Sequence, residues 1–261
     1  MVTFKGTSRY FSRNSSGKFQ LDVGEIRSAF ALGDQLSQRV KRFRDERLGL
    51  IASGETPVQI DQGPKAVLHI VPASALDPTA HVDPQIVQTK QDRLEPIYAH
   101  GWNHRYNLDG LATYTPRSDG SSYTYVQVFR TGSLEAVESG IMSSPDGPPQ
   151  LWPAVWEEYM VTAVDRFWRV LRDIGASLPM FVMISRVDVK NLAVRVENSW
   201  RTAPRPIDRR IVILPDVVIE RDEVEVPAVL RPAFDSLWQA ADLAGSANYD
   251  SSGKWIGRPR R

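Results

Sequence analysis

All four histidines of this chain fall between residues 69 and 104, and two of them carry the spacing of a metal site. His100 and His104 are four apart, the separation at which two imidazoles on one helix face share a zinc ion. Asp109 could supply a third ligand. Gly101 and Asn103 make the segment a poor helix, and the glutamate that follows the first histidine in zinc proteases is missing. His69 lies inside the apolar run Val67–Val71 and reads as a core histidine held by a hydrogen bond, while His81 sits in a Pro-rich loop. Glu135 and Glu138 are spaced i, i+3 and would matter if a cation lay between them; they read as surface carboxylates. No serine stands in Gly-x-Ser-x-Gly surroundings, and there is neither a Walker loop nor Gly-x-Gly-x-x-Gly. With no cysteine, disulfides, thiolate catalysis and thiolate metal sites are excluded.

Phosphate chemistry has a different candidate. Arg13-Asn14-Ser15-Ser16-Gly17-Lys18 combines cations, hydroxyls and a glycine in a tight turn, where backbone N–H groups can face an anion. The same turn also serves as an ordinary strand-to-helix connection. Arg39 and Arg42 lie on the outer side of an Arg-rich helix that could follow a phosphate backbone, although Asp45 and Glu46 blunt its potential. Trp102, Trp152, Trp200 and Trp255 stand in loop-like settings where an exposed ring near Arg201 or Lys254 could stack a base; burial is the commoner fate of tryptophan.

The elements that must position these groups follow from periodicity. Residues 2–12 read as a strand, and Asp22 with Glu25 forms a capping box opening a helix to Leu32. Gly33 breaks that helix, and a second runs from Asp34 to about Ala52 with Leu36, Val40, Phe43, Arg47 and Leu50 along one stripe. Ser53-Gly54-Glu55-Thr56-Pro57 marks a boundary. Val67–Val71 reads as a buried strand, and residues 73–97 as a long irregular connection. Gly110–Pro116 and Tyr123–Arg130 form a hairpin about Arg117-Ser118-Asp119-Gly120, followed by a strand at Leu134–Val137 and a loop over 139–153. The turn Asn107-Leu108-Asp109-Gly110 uses Asp and Gly for geometry, or forms a polar patch with Arg105 and Arg130. The clearest helix is Ala154–Ile174, whose wide apolar face needs a sheet to cover it. Strands at Phe181–Ile184, Leu192–Val196, Ile211–Leu214 and Val217–Ile219 precede a last helix near Val229–Leu243. This order predicts an α+β fold: a mixed, mainly antiparallel sheet packed by two or three helices.

The opening stretch, Tyr10-Phe11-Ser12-Arg13-Asn14-Ser15-Ser16-Gly17-Lys18 followed by Asp22-Val23-Gly24-Glu25-Ile26, resembles the last strand and helix of the Schlafen-type AlbA-like DNA-binding domain. That domain is common in bacterial proteins described as transcriptional regulators or ATP-binding proteins. The match covers about residues 4–32, and the turn departs from the family's Arg-x-Gly-Ser-Ser by carrying its glycine later. The stretches from Phe43-Arg44-Asp45-Glu46-Arg47-Leu48 through Val67–Pro72 to Asn107-Leu108-Asp109-Gly110 resemble the C-terminal region that follows this domain in one bacterial subgroup. The resemblance implies a division into 1–32 as the end of an AlbA-like domain, 33–56 as a connecting basic helix, 57–250 as an α+β accessory domain and 251–261 as a basic tail. It also implies that most of the AlbA-like domain would precede Met1.

The leading expectation is thus a non-catalytic accessory module for nucleic-acid or nucleotide recognition, with no cofactor. Arg13, Ser15, Ser16, Gly17 and Lys18 would face phosphate, and Arg39 and Arg42 would support them. The first alternative is a metal-dependent nuclease or hydrolase using His100, His104 and Asp109; the second is an assembly module forming a homo-oligomer. A net charge of +1 gives no global argument for a polyanion, but cations gather at both ends. No apolar run long enough to span a bilayer exists and no signal-peptide core opens the chain, so the expected location is the cytoplasm.

Overall fold

The structure, a computed structural model, describes residues 11–14, 17–20, 23–141, 149–195 and 206–257. It divides into two compact units, residues 1–43 and 44–261. In the first unit, β1 (Phe11–Asn14) pairs antiparallel with β2 (Gly17–Gln20). The segment read as a turn into a helix is therefore a β-hairpin, because the polar, β-tolerant run after Gly17 supplies a second strand. Residues 2–10 of the expected strand and the Asp22 cap lie outside the described residues.

A single helix, α1 (Val23–Ser53), follows without a break at Gly33. The expected interruption is corrected: glycine in a helix costs only about 1 kcal/mol relative to alanine, and strong helix formers flank it. The helix ends where expected. Gly54 takes a φ of +85°, and Glu55 N–H donates to the Leu50 carbonyl at 2.8 Å.

The second unit is built on an eight-stranded sheet. Its strands are β3 (Lys65–Pro72), β4 (Asn103–Asn107), β5 (Gly110–Pro116), β6 (Ser122–Phe129), β7 (Leu134–Glu138), β9 (Met180–Val187), β11 (Ile211–Ile213) and β12 (Val217–Ile219). A short parallel pair, β8 (Gln150–Leu151) with β10 (Ala193–Val194), lies apart from it. The spatial order is β11-β9-β3-β7-β6-β5-β4, with β12 also paired to β9, and every pairing in this sheet is antiparallel. Strands β4 to β7 form a meander, and β3 inserts between its last strand and β9. The connection after β3 is less irregular than its composition suggests. It holds two 3-10 turns and the short helix α2 (Pro84–Gln88), capped by the Asp83 carboxylate on Gln85 N–H.

Both faces of the sheet are covered, so its central strands are buried at nearly every position rather than at every second one. One face carries Leu68, Ile70, Leu134, Ala136, Val126 and Val128 beneath α3 (Pro153–Asp173) and α4 (Val226–Gln239). The other carries Val67, Val137, Tyr125 and Val187 beneath Leu48 and Ile51 of α1. The fold is thus α+β with a mainly antiparallel sheet, as read from the sequence. At the β4–β5 hairpin, Gly110 adopts a φ of +151°, and a Cβ there would stand 2.1 Å from the Val128 carbonyl oxygen. Gly110→Ala is expected to cost about 1–3 kcal/mol, measured as a lowered denaturation midpoint.

Candidate functional site

The α1-facing side of the sheet buries a carboxylate where the sequence suggested surface. Register sets His69 of β3 and Gln127 of β6 on either side of Glu135 in β7. The Glu135 side chain has no solvent exposure. Arg47 reaches down from α1 and donates twice, Nε to Oε2 at 2.8 Å and an Nη to Oε1 at 2.9 Å. The Tyr125 hydroxyl donates to Oε1 at 2.8 Å, and His69 Nε2 lies 3.0 Å from Oε2. A carboxylate only accepts, so the imidazole tautomer here carries its proton on Nε2. Burial alone would push the Glu135 pKa up, but the bonds from His69 and Arg47 override it and hold the carboxyl down at about 2. Burial and the adjacent carboxylate push the Tyr125 phenol well up. The Arg47 guanidinium also lies 5.1 Å over the Phe129 ring. Four donors saturate this carboxylate, so it has no lone pair left for a substrate. The cluster ties the end of α1 to the sheet.

The helix-facing side buries a second set. One cross-strand row runs Arg186, Ala66, Glu138, Thr124. Arg186 is fully buried with its guanidinium 4.1 Å over Trp156 of α3. Glu138 accepts the Ile141 N–H, and burial pushes its carboxyl up to about 7 against that bond and the nearby Arg186. Burial likewise pushes Glu157 of α3 to about 7, although Ser246, Trp238 and Asn248 all donate to it, at 2.5, 2.6 and 2.8 Å. The same desolvation lowers Arg186 to about 10. Carboxyls that titrate near neutrality are what acid–base catalysis needs. These two have no exposed surface, so their titration acts on the fold. The expectation that Glu135 and Glu138 are surface groups is overturned for both, because a strand covered on two faces has no outer side.

The histidine cluster does not assemble. His104, on β4, bonds the Gln88 amide at 3.0 Å and meets Tyr106 edge-on. His100 stacks edge-on against Tyr98 with centroids 5.3 Å apart. Asp109 occupies the tight β4–β5 turn, its carbonyl accepting the Arg130 N–H. Among the described residues no three His, Asp or Glu side chains are placed to hold a metal. The four-residue spacing does not fall on a helix: His104 lies in β4, and His100 in the bend that precedes it, where Gly101 takes a φ of +102°. His69 is the hydrogen-bonded core histidine expected of it. Trp255 packs with Tyr249 and Phe234, whereas Trp152 is partly exposed; Trp200 lies outside the described residues.

The phosphate-facing candidates lie in the first unit. Register places Arg13 directly opposite Lys18 and Asn14 opposite Gly17, while Ser15 and Ser16 lie outside the described residues. Arg39 and Arg42 are exposed one turn apart on α1, with exposed Asp45 and Glu46 in the turn after. No described helix is long and apolar enough to cross a membrane. No family model, no curated protein and no solved structure matches the chain.

Proposed function

We propose that this chain is a non-catalytic accessory module that binds nucleic acid in the cytoplasm, as its resemblance to Schlafen-type AlbA-like proteins implies. The observation that carries the reading is the register of the first hairpin, which sets Arg13 and Lys18 as a direct cross-strand pair. Like charges opposite one another destabilise a hairpin, and an anion between them reverses the sign. A phosphate supplies such an anion. Arg39 and Arg42, exposed on α1, would supply further cations. The saturated Glu135 cluster and the sealed Glu138 and Glu157 carboxyls favour a structural body over a catalytic one.

The test is fluorescence anisotropy of a labelled 20-base-pair duplex across a salt series. Wild type is expected to bind with affinity that falls steeply with salt. Arg13→Ala/Lys18→Ala and Arg39→Ala/Arg42→Ala should each weaken binding about tenfold at low salt and reduce the salt slope by about 2. Affinity unchanged in both double variants would remove this function from the hairpin and helix.

A further inference from the structure

The two outer edges of the eight-stranded sheet are built differently. On one side β11 and β12 are separated by Leu214-Pro215-Asp216, so a proline interrupts that edge. On the other, β4 ends the sheet with Asn103-His104-Arg105-Tyr106-Asn107, four of the five exposed and none a proline. Pairing with β5 uses one side of this strand. In an antiparallel ladder every second residue turns its N–H and C=O the other way, so β4 presents a row of hydrogen-bonding groups that pairs with no strand among the described residues.

Beside that row runs a groove of about 560 Å³ lined by Gln91, Asp92, Trp102, Asn103, His104 and Tyr114. Its rings are already held. Trp102 Nε1 donates to the Gln91 carbonyl at 3.2 Å, and the Gln88 amide bonds both His104 and the Tyr106 hydroxyl. Groups fixed before a partner arrives lose little entropy on binding. The faces of β4 differ in chemistry: Asn103, Arg105 and Asn107 share one, His104 and Tyr106 the other. Arg105 is exposed, and its side chain makes no ion pair or hydrogen bond with the described residues.

We infer that β4 is a docking edge for an extended peptide of another protein, which adds to the sheet as a further strand. The peptide carries an acidic side chain opposite Arg105 and apolar side chains at the alternate positions, against Tyr106 and the neighbouring rings. A second copy of this chain fits less well, since pairing centred on Arg105 would set two guanidinium groups opposite each other.

Two fluorescein-labelled heptapeptides test this with the full chain: alternating Val and Glu, and its counterpart with Lys for Glu. The Glu peptide should bind at least fivefold more tightly than the Lys peptide, and Arg105→Glu should invert the preference. N-methylation of the backbone nitrogens on one edge of the Glu peptide should abolish binding, while methylation on the opposite edge should not. Arg105 is exposed, so the variant is expected to keep the wild-type melting temperature. The inference is overturned if neither peptide binds at millimolar concentration, or if a folded Arg105→Glu variant keeps the original preference. Displacement by oligo(dT), or a dimer in light scattering that persists until β4 is altered, would overturn it equally by assigning the edge to another occupant.

Discussion

Arg47→Ala is expected to destabilise the second unit by about 3–5 kcal/mol, the loss typical of breaking a buried ion pair from one side. The substitution leaves the Glu135 carboxylate fully buried with two donors, Tyr125 and His69, instead of four. Half of the compensation for removing it from water is then gone. Two further consequences follow. The Glu135 pKa rises from about 2, because the guanidinium bonds that held it down are lost. The last turns of α1 also loosen, since only the packing of Leu48 and Ile51 and the Arg44–Asp216 ion pair then hold residues 44–53. Amide exchange there should accelerate more than in β3 or β7. Adding Glu135→Gln to Arg47→Ala removes the stranded charge, so the double variant should lose less than the sum of the two single changes. A urea-unfolding cycle measures the coupling, expected at about 1–3 kcal/mol. A loss under about 1 kcal/mol for Arg47→Ala, the worth of a solvent-exposed pair, would show that the bidentate contact contributes nothing.

The same cluster shows how far the sequence could be read. Arg47 occupies the apolar stripe of α1 that also holds Leu36, Val40, Phe43 and Leu50, and His69 interrupts an otherwise apolar strand. An inward cation and an inward imidazole together demand a buried acceptor. That was a legible signal for a buried carboxylate, and Glu135 was its available partner. It was obscured by reading β7 as half exposed, when Leu134, Ala136 and Glu138 face one layer and Glu135 and Val137 the other. Strands β3, β5 and β6 and helices α3 and α4 were legible because their apolar patterns satisfy one local period each. β4 was not, because an edge strand with little burial on either face carries no hydrophobic alternation to detect. In the first unit, the second hairpin strand was hidden by a turn that suits a helix connection equally well. What pattern reading misses is pairwise: it sees which residues want burial, not which polar groups meet there.

Stability of the full chain is expected to be greater at pH 5 than at pH 8, against the usual preference of proteins rich in ionised carboxylates. Glu138 and Glu157 have folded pKa values of about 7, raised by burial above the ordinary 4.5. Between those values the folded chain keeps protons that the unfolded chain has released, so unfolding free energy falls as pH rises. Their contribution is full below pH 4.5 and is lost as pH passes through about 7. Each shift corresponds to about 3 kcal/mol at most. Glu135 acts in the opposite sense: with a folded value of about 2, its contribution is full above pH 4.5 and is lost only on further acidification. The two slopes meet in mild acid, where the maximum should lie. Arg186, held 4.1 Å over Trp156, stays charged near neutrality and opposes the effect of burial on Glu138 without cancelling it. Glu138→Gln isolates the effect, since the amide keeps the acceptor for the Ile141 N–H and cannot ionise. At pH 8 the variant should be more stable than wild type by about 1–3 kcal/mol, and at pH 5 the two should be nearly equal. Guanidinium unfolding at both pH values decides it. Equal effects of the substitution at pH 5 and pH 8 would mean that Glu138 does not change protonation between them.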